Sequence, residues 1–361
     1  MMKLKFILSN EKSVFLDILR ISAAFWVMSM HTFAICFPFR SKEAYQHGHA
    51  AVIIFFVLSG YVIAYTTKKN NRGLGQYTIA RLVRLYSILI PSILLCIVIE
   101  VVLKLYYYES YLSIQRGNSL FRYLSSLIFA NEIWFFSSAP PLNAPLWSLS
   151  YEFSYYFIYG IIFFRNQLKY KYTSIIFSFI LVGPKVLLLM PIWLMGVMIL
   201  YLPKININYS MSKLLSLLSI LGGLLIIFNF PSYPFTLGVA PLYFASGFLL
   251  DWLIGFFFSL SLWLYPNIEN INADNKSKRH NIIRLFSNLT FPVYLIHNPL
   301  LILLTTIFKC QINHAVYFGI ILLFITILSF SIGIIFEKFR NITNSIINIY
   351  INDFINRFRL K

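Results

Sequence analysis

Two ionisable residues lie on one face of the first long apolar segment and could together serve an acid–base reaction. Arg20 and His31 are eleven positions apart, which on an α-helix is about three turns, so they share a face about 16 Å apart along the axis. An imidazole is well suited to take up a proton near neutral pH, which makes His31 a candidate general base. The alternative is that Arg20 snorkels to one membrane surface and His31 lies among the headgroups of the other.

Two further arginines suit the recognition of phosphate. Arg81 and Arg84 open the third apolar segment and, at positions i and i+3, are neighbours on one helix face. Guanidinium groups present fixed forks of N–H donors that match phosphate oxygens. Positive charges at the start of a membrane span also act as topology anchors, so the alternative is that this pair only orients the helix.

A carboxylate stands about two turns into another apolar segment. Glu152 closes the stretch Pro145–Glu152, which also contains Trp147. In the topology given below this segment starts from the outer side, so we expect Glu152 near the depth of His31. It could then orient the imidazole and stabilise its charged form. The alternative is a structural salt bridge inside the bundle.

Smaller groups and a second histidine could complete a site. Ser59 and Gly60 end the stretch Phe55–Gly60, where a small pair allows close helix approach or exposes backbone to a ligand. His297 lies in an apolar segment two residues before Pro299, and an ionisable group inside a span is costly enough to suggest a function. The other four histidines are expected to be solvated in connections or at segment ends: His47, His49, His280 and His314.

All of these residues need apolar helices to hold them, and the composition provides such helices. Of 361 residues, 59% are hydrophobic and 12% are charged, with a mean hydropathy of +0.73, which excludes an ordinary water-soluble domain. The net charge of +18 lies mainly in short connections between apolar runs, which is typical of membrane topology signals and not of nucleic-acid binding. The isolated cysteines predict neither a disulfide nor a zinc site and are expected to pack in the core: Cys36, Cys96 and Cys310.

The apolar runs predict an all-α, polytopic transmembrane bundle of about ten spans. Most runs approach the roughly 20 residues that cross a hydrocarbon core of about 30 Å, and the sixth is short. The predicted spans are Phe15–Phe37, Ala50–Thr66, Ile79–Leu105, Leu146–Phe164, Thr173–Leu189, Pro191–Leu202, Leu214–Phe230, Leu237–Leu264, Leu289–Phe308 and Ala315–Phe336.

One further run, Phe121–Phe136, is interrupted by Arg122, Asn131 and Glu132. If it does not cross, the basic connections fall on the cytoplasmic side and both termini are cytoplasmic. We therefore predict a re-entrant or interfacial segment here, surrounded by protein. The predicted organisation is a cytoplasmic N-terminal segment at 1–14, one membrane domain at 15–336 and a basic cytoplasmic tail at 337–361.

Five stretches, in order along the chain, resemble the motifs of the acyltransferase-3 family of bacterial membrane proteins. The resemblance runs from about residue 14 to about residue 336. Any one motif is weak, but five in register are strongly specific. The stretches are Asp17–Arg20 with His31, Phe55–Gly60, Arg81–Arg84, Pro145–Glu152 and Tyr294–Pro299.

The resemblance implies an acyl-CoA donor, most often acetyl-CoA, and a hydroxyl acceptor on a glycan such as the O-antigen of lipopolysaccharide, at the bacterial inner membrane. His31 is then the expected base or transient acyl carrier, and Glu152 is expected to orient it. The donor's phosphates are expected on Arg20, Arg81 and Arg84. Supporting roles are expected for Asp17, Ser59, Gly60, Trp147 and His297.

The expected partners are the acyl-CoA donor, a carbohydrate acceptor and membrane lipids, and the protein acts either alone or with a further partner. No metal, no permanently bound cofactor and no nucleic acid are expected. The rival hypothesis from another class is a transporter or flippase of lipid-linked sugars, which would need no thioester donor but would often show repeated broken helices. A third, a polysaccharide polymerase, would lack the five motifs in this order.

Overall fold

The structure, a computed structural model, describes residues 8–71, 73–203, 206–267, 278–308 and 314–359, with backbone only at 278–279, 341 and 343–359. Its regular elements are helical, and the described part contains no β-strand. The helices are α1 (Asn10–Cys36), α2 (Ser41–Asn70), α3 (Leu74–Tyr106), α4 (Tyr108–Ile114), α5 (Ser119–Leu127), α6 (Trp147–Phe163), α7 (Lys171–Val182), α8 (Pro184–Met198), α9 (Tyr209–Asn229), α10 (Phe248–Leu264), α11 (Lys278–Ile307) and α12 (Ala315–Arg359).

Helices α1 and α3 pack against two common neighbours, α11 and α12. Helix α1 packs against α2, α11 and α12, while α3 packs against α6, α11 and α12. Helix α1 begins where the side chain of Ser9 accepts a hydrogen bond from the main-chain nitrogen of Lys12, at 3.2 Å. This cap satisfies one of the free N–H groups of the first turn. The start of the helix that carries Arg20 and His31 is therefore fixed by its own sequence.

Two glycines allow α2 and α8 to meet at backbone distance. A Cβ atom on Gly60 would stand 2.0 Å from the main-chain oxygen of Trp193, and one on Gly196 would stand 2.1 Å from that of Val57. Only residues without a side chain permit this approach. Of the two roles considered for Gly60, the structure shows close helix approach. The contact holds the neighbouring Ser59 beside α8.

The break between the predicted fifth and sixth spans is elsewhere than expected. Helices α7 and α8 meet at an angle of 112°, and the bend is at Gly183, which has a φ of +85°. Glycine adopts this left-handed backbone without the steric cost of a Cβ. The predicted boundary just before Pro191 is wrong, because α8 continues through that proline.

Two other segments differ from their predicted extents. The helix within the predicted span Leu237–Leu264 begins only at Phe248, and an irregular loop precedes it. Within Phe121–Phe136, the nine-residue helix α5 ends at Leu127. At about 1.5 Å per residue α5 is too short to cross a bilayer.

Six helices in the described part of the chain are long and apolar enough to cross a membrane: α1, α2, α3, α9, α11 and α12. The bent pair α7 and α8 would add a seventh if it formed one broken span. Helices α6 and α10 have 17 residues each. The chain is thus an all-helical, multi-pass membrane protein, as expected, while ten spans and cytoplasmic termini stay predictions.

Candidate functional site

A cavity of about 590 Å³ lies among helices α1, α2, α3, α6, α11 and α12. Its wall on α2 includes residues from Asn70, the last of the helix, to Val52. At about 1.5 Å per residue these two positions are about 27 Å apart along the axis. The cavity is therefore long and narrow, and it runs from one end of α2 far into the bundle.

Arginines from two helices converge on this cavity. Arg20 from α1 lines it together with Arg81 and Arg84 from α3. A terminal nitrogen of Arg81 donates to the hydroxyl of Thr66 at 3.4 Å, which places this guanidinium at the level of the last turns of α2. The structure thus brings the three arginines named from the sequence to one cavity.

Asp17 holds Arg20 from the same helix face. Its carboxylate lies 3.7 Å from a terminal nitrogen of Arg20. The same oxygen accepts a hydrogen bond from the hydroxyl of Ser287 on α11, at 2.7 Å. Asp17 is 7% exposed, so it acts on Arg20 with little screening by solvent.

His31 and His297 form a hydrogen-bonded pair between α1 and α11. Nδ1 of His31 lies 2.8 Å from Nε2 of His297, and the rings stack at 5.1 Å with an angle of 13°. Nδ1 of His297 lies 2.8 Å from the main-chain oxygen of Tyr294 and 3.2 Å from that of Val293.

These contacts assign the tautomer of both rings. A carbonyl oxygen only accepts, so Nδ1 of His297 carries its proton, and in the neutral ring Nε2 is left as an acceptor. His31 must then donate from Nδ1, which leaves the lone pair of its Nε2 free. The pair therefore prepares Nε2 of His31 to accept a proton or to attack a carbonyl carbon.

The histidine pair lies just beyond the inner end of the cavity. Neither ring lines it, but Tyr294 and Phe55 do, and the Tyr294 ring lies 5.9 Å from the rings of both Phe55 and His297. Nε2 of His31 is 3.8 Å from where a Cβ on Gly48 would stand. Gly48 is one helical turn, about 6 Å, beyond Val52 on α2. His31 thus lies about one turn of α2 beyond the inner end of the cavity.

Glu152 lines the cavity but does not contact His31. One of its oxygens accepts hydrogen bonds from the hydroxyls of Ser59, at 2.6 Å, and Tyr156. The indole of Trp193 donates to Ser59 at 3.3 Å. The expectation that Glu152 orients the imidazole is corrected by this geometry, because His297 occupies that role.

A profile for a family described as an acyltransferase domain matches residues 13–335. The chain belongs to the acyltransferase-3 family. Neither the curated proteins nor the solved structures provide a match to it. The family match covers the helices that carry the histidine pair and the three arginines.

In this acyltransferase His49 is buried, contrary to the expectation that it is solvated. It is 7% exposed, and its Nε2 lies 3.0 Å from a carboxylate oxygen of Asp251 on α10. Its ring stacks on that of Trp147 at 5.3 Å, and Trp147 in turn stacks on Phe244 at 4.4 Å. Trp147 therefore supports the bundle around the site and does not line the cavity.

A second buried ion pair holds the irregular segment that follows α5. Lys185 and Glu132 contact each other with both side chains 0% exposed. Lys185 also donates to the main-chain oxygen of Phe136 at 2.6 Å, and Ser137 donates to Glu132 at 2.7 Å. The segment is thereby tied to α8, and it is surrounded by protein at this point.

Sequence reasoning did not identify two tyrosines as contacts of residues that line the cavity. Tyr156 lies one turn after Glu152 and donates to it, so helical spacing could have indicated it. Tyr294 was part of a motif, but its hydroxyl contact to Ser148, at 2.9 Å, joins residues 146 positions apart.

Cys36 and Cys96 are buried as predicted, and Cys310 lies outside the described residues. No cluster of metal-ligating side chains occurs in the described ranges.

Proposed function

We propose that this acyltransferase moves an acetyl group from cytoplasmic acetyl-CoA to a hydroxyl of a surface or lipid-linked polysaccharide, such as an O-antigen, at a bacterial inner membrane. The observation that carries the proposal is the cavity itself. Three arginines line the cavity. Its inner end, at Val52, is one helical turn from Gly48, and Gly48 lies beside Nε2 of His31. A long donor with charged and reactive groups at opposite ends suits this arrangement.

The end of the cavity near Asn70 would hold the donor's phosphates. Coenzyme A carries a diphosphate and a 3′-phosphate, and Arg20, Arg81 and Arg84 offer planar donor forks for their oxygens. The pantetheine arm would then follow α2 inward past Glu152. We assign to Glu152 the positioning of this arm, because Glu152 lines the cavity and its carboxylate fixes the hydroxyl of Ser59, which also lines it.

His31 can serve the transfer in two ways. As a base, its Nε2 takes the proton of the sugar hydroxyl while that oxygen attacks the thioester carbonyl; the C–O bond forms, the C–S bond breaks, and the thiolate receives the proton. As a carrier, Nε2 attacks the carbonyl first, the N–C bond forms and the C–S bond breaks, and the thiolate leaves; the sugar oxygen then displaces the imidazole from the acyl group, and the hydroxyl proton goes to the thiolate. In both routes the acetyl group reaches His31 once the rings of Tyr294 and Phe55 move apart.

Thiol release separates this function from the rival one. A transporter or flippase of lipid-linked sugars consumes no thioester, whereas the proposed enzyme releases one thiol for each acetyl group transferred. The purified full-length protein, given acetyl-CoA and extracted lipid-linked glycan, should release coenzyme A at a rate that depends on both. No thiol release with an acceptor-containing membrane extract would refute the proposal.

His31→Ala is the residue-level test. In cells with the wild-type protein, mass spectrometry should show the glycan heavier by about 42 Da for each acetyl group that replaces a hydrogen. The variant should give unmodified glycan at near-normal membrane abundance. Retained acetylation would remove His31 from the mechanism, and loss of the protein from the membrane would indicate a structural role instead.

A further inference from the structure

Helix α12 carries a fourth arginine to the same cavity. Arg340 lines it with Arg20, Arg81 and Arg84. It lies beyond the region matched by the family profile, which ends at residue 335, and outside every motif named from the sequence. Because α12 packs on α1, α3 and α11, the stretch that was expected to begin a cytoplasmic tail at 337 contributes to the cavity wall.

An acidic neighbour on α12 holds the guanidinium in place. Glu337 and Arg340 are one turn apart and form an ion pair, with side chains 14% and 21% exposed. The ion pair leaves two of its polar atoms without a hydrogen bond. Nε of Arg340 and Oε2 of Glu337 are buried without a hydrogen-bond partner. A buried N–H group without an acceptor is costly, so Arg340 has donor capacity left for a ligand.

A second arginine of the cavity shows the same deficit. Nε of Arg81 is also buried without a partner, and this residue lines the cavity together with Arg340. The charged lining residues are four arginines and one carboxylate, Glu152. Asp17 and Glu337 offset part of this charge by pairing with Arg20 and Arg340, and the remaining cations that face the shared space repel one another unless an anion lies between them. A ligand with several phosphate oxygens would both accept the free N–H groups and relieve the repulsion.

We infer that Arg340 is a phosphate-binding residue of the donor site, supplied by α12, and that Glu337 occupies its guanidinium in the absence of donor. The inference rests on the proposed function, since it takes a phosphate-bearing thiol as the ligand. Glu337 then competes with the phosphate for the same cation. The last helix thus takes part in donor recognition and is more than a membrane anchor.

The test is the titration of purified full-length protein in lipid nanodiscs with coenzyme A by calorimetry. Arg340→Gln should weaken binding about 10-fold to 100-fold, as expected for the loss of one charge-assisted hydrogen-bonding group. Arg340→Lys should recover only part of this, because an ammonium lacks the planar fork. Glu337→Gln should tighten binding several-fold by removing the competitor. Lys338→Gln removes one positive charge from the same turn at an exposed position outside the cavity, and it should bind as wild type.

Pantetheine, which has no phosphate, distinguishes recognition from a structural defect. Its affinity should be the same in Arg340→Gln and wild type, whereas a distorted cavity would weaken both ligands. Equal coenzyme A affinity in wild type, Arg340→Gln and Arg340→Lys would overturn the inference and leave the proposed function standing. If Arg340→Gln cannot be recovered as a folded protein, the other two variants decide. Wild-type coenzyme A affinity in Arg340→Lys, together with no tighter binding in Glu337→Gln, would also overturn the inference. A wild-type protein that binds no coenzyme A would refute the proposed function itself.

Discussion

Replacing His297 by leucine removes the partner of His31 while keeping the volume of the side chain similar. His297 is 1% exposed, and its Nε2 accepts from Nδ1 of His31 across 2.8 Å. In the leucine variant that N–H loses its acceptor. An unsatisfied donor in a largely buried position costs about 1–3 kcal/mol. Nothing then holds the tautomer in which Nε2 of His31 is free.

This cost should fall on the step that uses His31. At about 1.36 kcal/mol per factor of ten, the loss corresponds to a decrease in kcat of about 5-fold to 150-fold. The apparent KM for acetyl-CoA should stay near the wild-type value, because His297 does not line the cavity. His297→Gln should recover much of the rate, since its amide oxygen can accept from His31 at a similar reach.

Thiol release under saturating acceptor measures both parameters. Asn298→Leu is the matched control, because it removes one hydrogen bond, from Asn298 to the main-chain oxygen of Leu142 at 2.8 Å, at the position next to His297. The control should keep the wild-type kcat. A leucine variant at 297 with unchanged kcat, or one in which only KM for the donor rises, would refute the assignment of His297 as the positioning residue.

Three further predictions concern the donor site, helix packing and topology. Arg84→Gln should raise the apparent KM for acetyl-CoA in thiol-release assays about 10-fold to 100-fold, and Arg84→Lys should rescue it only in part; wild-type values in both would leave Arg84 as a topology anchor. Gly60→Ala should lower the melting temperature of the detergent-purified protein, because its Cβ would stand 2.0 Å from the Trp193 oxygen and overpacking costs about 1–3 kcal/mol. Gly75→Ala, with open space around it, should not, and an equal loss in both would contradict the packing argument. A phosphatase fused after Lys361 should be inactive in whole cells, and activity there would place the C-terminus outside and end the ten-span topology.

Sequence patterns predicted the helices and singled out the arginines that line the cavity, because those features are local. An apolar run long enough to span a membrane predicts a helix by itself, and the spacing of Arg81 and Arg84 places them on one helix face. The shared face of Arg20 and His31 was likewise given by helical periodicity alone. What periodicity cannot supply is the rotation and depth of one helix relative to another.

The partner of His31 was therefore predicted wrongly. Glu152 was chosen because an assumed topology placed it at a similar depth, whereas the actual partner, His297, is 266 positions away in sequence. The burial of His49 was missed for the same reason, since it depends on Asp251, 202 positions away. The bend at Gly183 was missed because proline is the commoner helix breaker, yet a proline inside a membrane helix can be accommodated by its neighbours.

The hydrogen-bond chain from His31 ends at main-chain carbonyl groups, and this has a bioenergetic consequence. A proton taken up by His31 can be shared with His297, but the oxygens of Tyr294 and Val293 cannot receive it and pass it on. This series of hydrogen bonds therefore cannot conduct protons beyond His297. The proposed acyl transfer from a thioester to an alcohol consumes no net proton, so it needs no proton pathway through the bilayer. Its turnover should proceed equally in energised and de-energised membranes.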